Sequence, residues 1–276
     1  VSAIARARRA WWGVRHELRW ARRHVTVGSW AYCTDILWYR LAALWPNAPG
    51  RDRVRSITTD QAITIRYRRN RGDIQGIREI FIDEIYRLPL GAEPRSLVDF
   101  GANIGLATLW LAAHYPLSAM VAVEPVPANA AILRDNVATN NLDCRVVEAA
   151  IGLAAGTAHF DLGPGSNMGH IASSGMEVNV IAINELMAEL RPEPLLCKMD
   201  IEGAEGPLLT GESAGWLDRV AMLVCELHPP IVDVALIEST VVSKGFRYFP
   251  PVEQTHGHER SKRERLFVRE PTSLRR

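Results

Sequence analysis

The sequence predicts an α/β protein in which helices cover both faces of a mostly parallel sheet, with a helical extension at the N-terminus. Three observations carry that expectation. From position 96 onward, short apolar runs alternate with helix-length amphipathic segments, the pattern of right-handed strand–helix–strand crossovers. Acidic and polar residues gather where those apolar runs stop, which is where open α/β sheets take their ligands. The chain has 276 residues, 47% hydrophobic and 23% charged, an ordinary balance for one large globular domain with an appendage.

Taken in order, residues 3–24 read as a strongly basic helix, and residues 30–45 as a second, aromatic one stopped by Pro46 and the NAPG after it. RVRSI and AITIRY flank TTDQ as a β-hairpin. Residues 74–88 place Ile74, Ile77, Ile80, Phe81, Ile85 and Leu88 at helical spacing, ended by Pro89 and Gly91. The alternating part follows. Its expected strands are SLVDF, AMVAVE, CRVVEAAI, EVNVIAI, PLLCKMD and RVAMLVCELH, closed by the pair FRYF and RLFVRE. LATLWLAAHY, ANAAILRDNVATN, NELMAEL, AEGPLLTGES and the 230–245 segment are the expected helices. The Gly-rich stretch 152–170 and the basic tract HGHERSKRER read as loops. The expected organisation is an extension over 1–50, a hairpin and lead-in helix over 51–95, and a ligand-binding domain over 96–276.

Bulk charge narrows the partners. A formal net charge of +1 gives the whole chain no electrostatic pull toward nucleic acid. The charge is uneven: residues 1–60 hold eleven Arg against Glu17, Asp35, Asp52 and Asp60, together with Trp11, Trp12, Trp20, Trp30, Trp38 and Trp45. We expect this aromatic head to pack on the larger domain with its arginines solvated. The apolar stretch 30–45 is too short and too charged to span a bilayer. Cys33, Cys144, Cys197 and Cys225 fit neither a zinc knuckle nor a CxxC pair, and Cys197 and Cys225 read as buried hydrophobes. A reducing cytoplasm is the expected compartment; a homo-oligomer is left open.

Four motifs carry chemistry. VDFGANIG, residues 98–105, is a strand, a turn and a helix start; Gly101 can take positive φ and Gly105 permits close packing of helix on strand. Two of the three glycines of a dinucleotide fingerprint are missing, with Asn103 and Leu106 in their places. The turn therefore suits a ligand bearing an amine and hydroxyls better than a pyrophosphate. VAVEPVPAN ends a strand at Glu124, 19 residues after Gly105, where a carboxylate can accept from both hydroxyls of a ribose. KMDIEGAE places Lys198 and Asp200 on one strand face, while Glu202 and Glu205 fall at a helix start that favours carboxylates. Lys198, a charge on a central strand, needs a partner. CELHPP puts Glu226 and His228 on one side of the next strand end; His228 is a candidate general base, since a neutral imidazole can take a hydroxyl proton near pH 7. Asp200, Glu226 and His228 are also the candidate ligands of a divalent metal, the less favoured alternative.

With these motifs in this order, the chain resembles the FkbM family of S-adenosylmethionine-dependent methyltransferases over roughly residues 60–270. VDFGANIG, VEPVPAN, KMDIEGAE, CELH and the lead-in REIFIDEIY carry the likeness. It implies a class I methyltransferase (Rossmann-like) fold of seven strands, the last antiparallel. It also implies that Asp99, Gly101, Asn103 and Gly105 surround the methionine part of the cofactor. Glu124, with Pro125 beside it, would hold the ribose, Glu148 and Ala149 would lie near the adenine, and Asp200 would sit near the sulfonium and the acceptor hydroxyl. The activity implied is O-methylation of a small molecule of sugar or polyketide type, with His228 as base and Asp200 or Glu226 orienting it. N-methylation and a cofactor-binding protein without catalysis are the alternatives; a nicotinamide-dependent oxidoreductase is disfavoured by the missing glycines.

Overall fold

The structure, a computed structural model, describes residues 3–42, 50–89, 91–161, 170–190, 194–229, 231–249 and 264–269. Its centre is a seven-stranded sheet. The strands are β1 (Ser96–Phe100), β2 (Ala119–Val123), β3 (Cys144–Val147), β4 (Leu195–Met199), β5 (Met222–Glu226), β6 (Phe246–Phe249) and β7 (Glu264–Arg269). Their order across the sheet is β6-β7-β5-β4-β1-β2-β3. Neighbours from β5 through β3 run parallel, and β7 is antiparallel to both β5 and β6. Chain order reverses between β1 and β4, so a crevice opens above the carboxyl ends of those two strands. This is the class I methyltransferase arrangement that the resemblance implies.

β1 and β4 are buried along their whole length, as central parallel strands covered on both faces must be. Alternation divides them. Val98, Phe100, Cys197 and Met199 join one core; Leu97 and Leu196 join the other. Cys197 and Cys225 are buried free thiols within the first of these. The second core continues without a break into the N-terminal part of the chain. There α1 (Ala3–His24) and α2 (Ser29–Ala42) bring Ala21, Tyr32 and Ile36 against Ile57, Ile65, Trp110 and Leu97. The expected hairpin is present as Val54–Thr59 and Thr64–Arg68, and a short strand, Val25–Val27, which the sequence did not suggest, pairs with its first arm.

The head departs from expectation in its arginines. Glu17 and Asp35 have no exposed surface, and a buried carboxylate is tolerable only when paired. Arg40 and Arg78 approach Glu17 at 2.9 and 3.5 Å. Arg69 and Arg55 approach Asp35 at 2.7 and 3.4 Å, and Tyr67 donates its hydroxyl to it at 2.8 Å. Of these four, Arg40 and Arg55 belong to the basic head and are drawn inward as countercharges, Arg69 and Arg78 come from the segment that follows, and Arg19, Arg22 and Arg23 of the head remain exposed. Trp20 packs edge-on against Tyr32, and Trp30 is 83% exposed. The side chains of Trp11, Trp12 and Trp45 lie outside the described residues.

Three further elements differ. The lead-in helix α3 (Arg71–Ile77) begins earlier than periodicity suggests because Asn70 caps the Asp73 amide at 2.9 Å. It then widens into a π-helical turn, Arg78–Ile82, and stops there instead of at position 88. CRVVEAAI is two strands: the chain leaves the large sheet after Val147, and Ala150–Gly152 enters a separate four-stranded sheet. That sheet also contains Gly156–Asp161, His170–Ala172 and Met176–Ala182, so part of the expected Gly-rich loop is strand. Residues 166–169 of SNMGH and the HGHER tract lie outside the described residues. The remaining helices are α4 (Leu106–His114), α5 (Pro127–Thr139), α6 (Ile183–Glu189), the five-residue α7 (Glu205–Leu209) followed by a 3₁₀ segment, and α8 (Val234–Ser243), capped by Asp233.

The hairpin is stitched to α5 by amide side chains. Asn136, fully buried, accepts from the Arg66 amide at 2.7 Å and donates to the Arg66 and Ile104 carbonyls at 3.0 and 2.8 Å. Asn136→Ala strands three backbone groups and is expected to cost about 2–4 kcal/mol of unfolding free energy, measurable by urea denaturation.

Candidate active site

Four strand tips meet along one edge of the sheet. At the end of β1 the chain turns through Gly101, Asn103 and Gly105, all with positive φ (73°, 50° and 85°). The reasons are local packing. A Cβ on Gly101 would stand 1.8 Å from the Asp200 carbonyl oxygen, so the absent side chain lets two strand tips close on each other. A Cβ on Gly105 would stand 2.5 Å from a methyl of Leu133 on α5, so this glycine packs helix on helix and not helix on strand as the sequence suggested. Asn103 donates its amide to Glu124 Oε2 at 2.9 Å, and its own Oδ1 is buried with no hydrogen-bond partner among the described residues.

Glu124 ends β2 as expected and is nearly buried. Its Oε1 accepts from the Val126 amide at 3.1 Å and Asn129 Nδ2 at 3.0 Å. Burial pushes its carboxyl upward in pKa, and these three hydrogen bonds work in the opposite direction. Behind it stands a relay that the motifs did not reveal. Asn129 Oδ1 accepts from Arg68 at 2.7 Å, and Arg68 is held in turn by Asp73 through both carboxylate oxygens at 3.0 Å. The hairpin thus fixes the carboxylate expected to hold a ribose. Pro125 follows at the same edge, half-buried. Ala149 is buried just past β3, whereas Glu148 is exposed and paired with Arg134 at 2.8 Å.

Asp99 does not open onto the crevice. It is fully buried on the α4 side, accepts from Thr108 Oγ1 at 2.7 Å and lies 3.1 Å from Lys198 Nζ. That supplies the partner Lys198 needed. The ammonium also donates to the Gly101 carbonyl at 2.7 Å, tying the β1 turn to β4.

At the tips of β4 and β5 an imidazole is ringed by carboxylates. His228 is 6% exposed. Its Nδ1 lies 3.0 Å from Oε1 of Glu205, which is fully buried and itself accepts from the Ile201 and Gly203 amides at 3.2 Å. Orientation of the ring therefore falls to Glu205, not to Asp200 or Glu226. Nε2 faces Glu202, Glu226 and Asp200, whose nearest oxygens stand 3.4, 3.7 and 3.8 Å away. Glu202 reaches this position through a left-handed backbone, φ 54°, so it lines the cluster and is not simply a helix cap.

The charges are strongly coupled. Burial, then Asp200, pushes Glu226 up to about 8. Burial also raises Asp200, against the pull of Lys198 and His228. For His228 burial opposes the charged form, but the hydrogen bond and charge of Glu205, with Asp200 and Glu202, outweigh it and push the imidazole up to about 9. The cluster thus favours the charged form of the ring over the neutral one expected near pH 7 while no other positive charge occupies it. Glu264, aligned with Glu226 across β5 and β7, and Tyr86 and Glu79 of the lead-in segment act on the same field.

An adenosyl cofactor fits what is present. The unpartnered Asn103 Oδ1 calls for a donor such as an amine, and Glu124 Oε2 accepts one hydrogen bond, leaving a lone pair for a hydroxyl. No helix among the described residues is long and apolar enough to cross a membrane.

Comparison with known proteins gives the family. The family model for the methyltransferase FkbM domain matches residues 99–248. The chain is 29% identical to the 31-O-demethyl-FK506 methyltransferase FkbM of Streptomyces tacrolimicus over 226 residues, 67% of this chain and 85% of that one. It is 27% identical to Methyltransferase 1 of Beauveria bassiana over 197 residues, 61% and 79% of the two chains. A solved FkbM methyltransferase from Methylobacillus flagellatus superposes with a TM-score of 0.45 at 15% identity, over 63% of this chain and 43% of that one. The match over more than half its length and the strand-tip motifs agree: the chain belongs to the FkbM family of S-adenosylmethionine-dependent methyltransferases.

Proposed function

We propose that the protein transfers a methyl group to a hydroxyl of a small molecule. One observation carries the reading: the donor-side and acceptor-side groups form an unbroken line across adjacent strand tips. Glu124 holds Asn103, and the Gly101 turn abuts Asp200, whose amide donates to the Phe100 carbonyl at 3.0 Å. Asp200 in turn stands beside His228. Two ligands bound at the two ends would be held in reacting distance without any domain movement. A relative named for a 31-O-demethyl substrate supports oxygen as the acceptor atom.

In this reading Glu124, Pro125, Asn103, Gly101, Gly105 and Ala149 surround the donor. Asp99 acts from behind, through Lys198 and the Gly101 carbonyl, and Glu148 flanks the adenine end. When bound, S-adenosylmethionine supplies an electrophilic methyl on a cationic sulfur. Asp200, Glu202 and Glu226 favour a positive charge beside them. Nε2 of His228 faces the acceptor, and the Nδ1 bond to Glu205 leaves its lone pair inward once the ring is neutral. That lone pair can activate a hydroxyl by taking its proton or by holding a cation to which the oxygen binds.

Calorimetric titration with S-adenosylmethionine and, separately, NADH tests the donor. Glu124→Ala is expected to weaken the former by about ten- to a hundredfold, the worth of a charged hydrogen bond, with no NADH binding in either protein. Equal affinity in the variant refutes the ribose assignment. Formation of S-adenosylhomocysteine with alcohol but not amine acceptors separates O- from N-methylation, and none with either class leaves a binding protein.

A further inference from the structure

We propose that Asp200, Glu226 and His228 form a binding site for a divalent transition-metal cation, which holds the acceptor oxygen. The inference rests on the reading that this crevice takes the acceptor. One ligand atom from each residue lies within 4.8 Å of the other two. Asp200 lies just past β4, Glu226 ends the adjacent strand β5, and His228 follows two residues later.

Acidic clusters are common without ions, so the weight falls on His228. Its ring is almost wholly buried, yet Nε2 makes no hydrogen bond among the described residues. Carboxylate oxygens stand around it at 3.4–3.8 Å, beyond direct bonding. Asp200 Oδ1 is likewise a buried atom with no hydrogen-bond partner among those residues, and it is one of the oxygens aimed at Nε2. Ligands about 2.1 Å from a common ion lie about 3.0–3.5 Å apart at right-angled or tetrahedral positions, so the Nε2 distances to Asp200 and Glu226, 3.8 and 3.7 Å, need to shorten by only a few tenths of an ångström, and the two carboxylates, within 4.8 Å of each other, close on the same point. The other ring nitrogen is turned to Glu205, as a metal-bound histidine usually gives its second N–H to a carboxylate.

Two carboxylates and an imidazole suit manganese, iron or zinc better than magnesium, which prefers oxygen alone. With three protein ligands, positions remain for a substrate oxygen and water. The cation would draw electron density from the acceptor hydroxyl and offset the mutual repulsion of Asp200, Glu202 and Glu226. It also gives Nε2 an occupant other than a proton.

The test uses the full chain, stripped with chelator and titrated with manganese chloride, read by calorimetry and by the loss of the free-ion electron paramagnetic resonance signal. One saturable site is expected. Asp200→Asn and Glu226→Gln should each weaken it at least tenfold, Glu205→Gln about tenfold, and the exposed Glu185→Gln of α6 not at all. Thermal melting identifies any variant that fails to fold; the other ligand variant then decides. No saturable binding at millimolar manganese, or equal binding in a folded ligand variant, overturns the site. Methyl transfer that persists undiminished in chelator overturns the cation's role and leaves the methyltransferase standing. A single bound cation with no S-adenosylhomocysteine from any acceptor preserves the site and sinks the function on which it rests.

Discussion

His228→Ala is expected to lower turnover about a thousandfold while affinity for S-adenosylmethionine changes less than threefold. The magnitude is that of removing a group that takes a proton, or holds an ion that would polarise the acceptor oxygen, in the transition state. The selectivity follows from position. Glu124, Asn103 and Gly101 lie on the β1 and β2 side of the crevice, and their hydrogen bonds run to one another and to Lys198, while the imidazole bonds to Glu205. Glu205 keeps its bonds from the Ile201 and Gly203 amides when the ring is gone, so the β4–α7 turn should persist. Single-turnover kinetics with saturating acceptor, beside calorimetry for the donor, give the two numbers. A variant with native turnover removes His228 from the chemistry. One that loses donor binding in proportion to rate shows instead that the ring supports the whole crevice.

The parts of this site that were legible in the sequence are those where local pattern and tertiary position coincide. β1, β2, β4 and β5 are apolar runs that end abruptly in Asp99–Phe100–Gly101, Glu124, Asp200 and Glu226, and a buried strand cannot end otherwise without turning a polar side chain to the edge. The oddity of Lys198 was also readable, since an ammonium in a central strand demands an anion, and Asp99 stands opposite it in register. What was not legible depends on long-range approach. Glu205 reads as a residue that simply complements a helix N-terminus. Only the fold brings it beneath a histidine 23 positions later, and the combination of Glu205 with an ExH strand end was the one available signal. The relay from Asp73 through Arg68 and Asn129 to Glu124 joins parts of the chain that no spacing rule connects. The break at Glu148 was hidden for a different reason. CRVVEAAI is apolar enough to continue as one strand, and its transfer to a second sheet depends on pairing with Met176–Ala182, far along the chain.

Gly101→Ala is expected to destabilise the fold by at least about 3 kcal/mol and to damage both ends of the crevice at once. Two effects add. The backbone is left-handed at φ 73°, which costs a non-glycine residue about 1 kcal/mol. The larger effect is the collision: the new methyl would sit 1.8 Å from the Asp200 carbonyl oxygen and 2.9 Å from its carbon, both backbone atoms that no rotamer change can move. Relief requires β1 and β4 to part at their tips, which breaks the Asp200 amide bond to Phe100 and pulls the Gly101 carbonyl from Lys198. Gly91 separates the two causes, having φ 81° but no described atom within 4 Å of the place a methyl would take. Gly91→Ala should therefore cost only about 1 kcal/mol and leave donor binding intact. Urea denaturation of both variants, with calorimetric donor affinity, checks the pair. Were Gly101→Ala to match Gly91→Ala in stability and bind donor normally, the tips of β1 and β4 could not be in contact, and the unbroken line from Glu124 to His228 would lose its middle link.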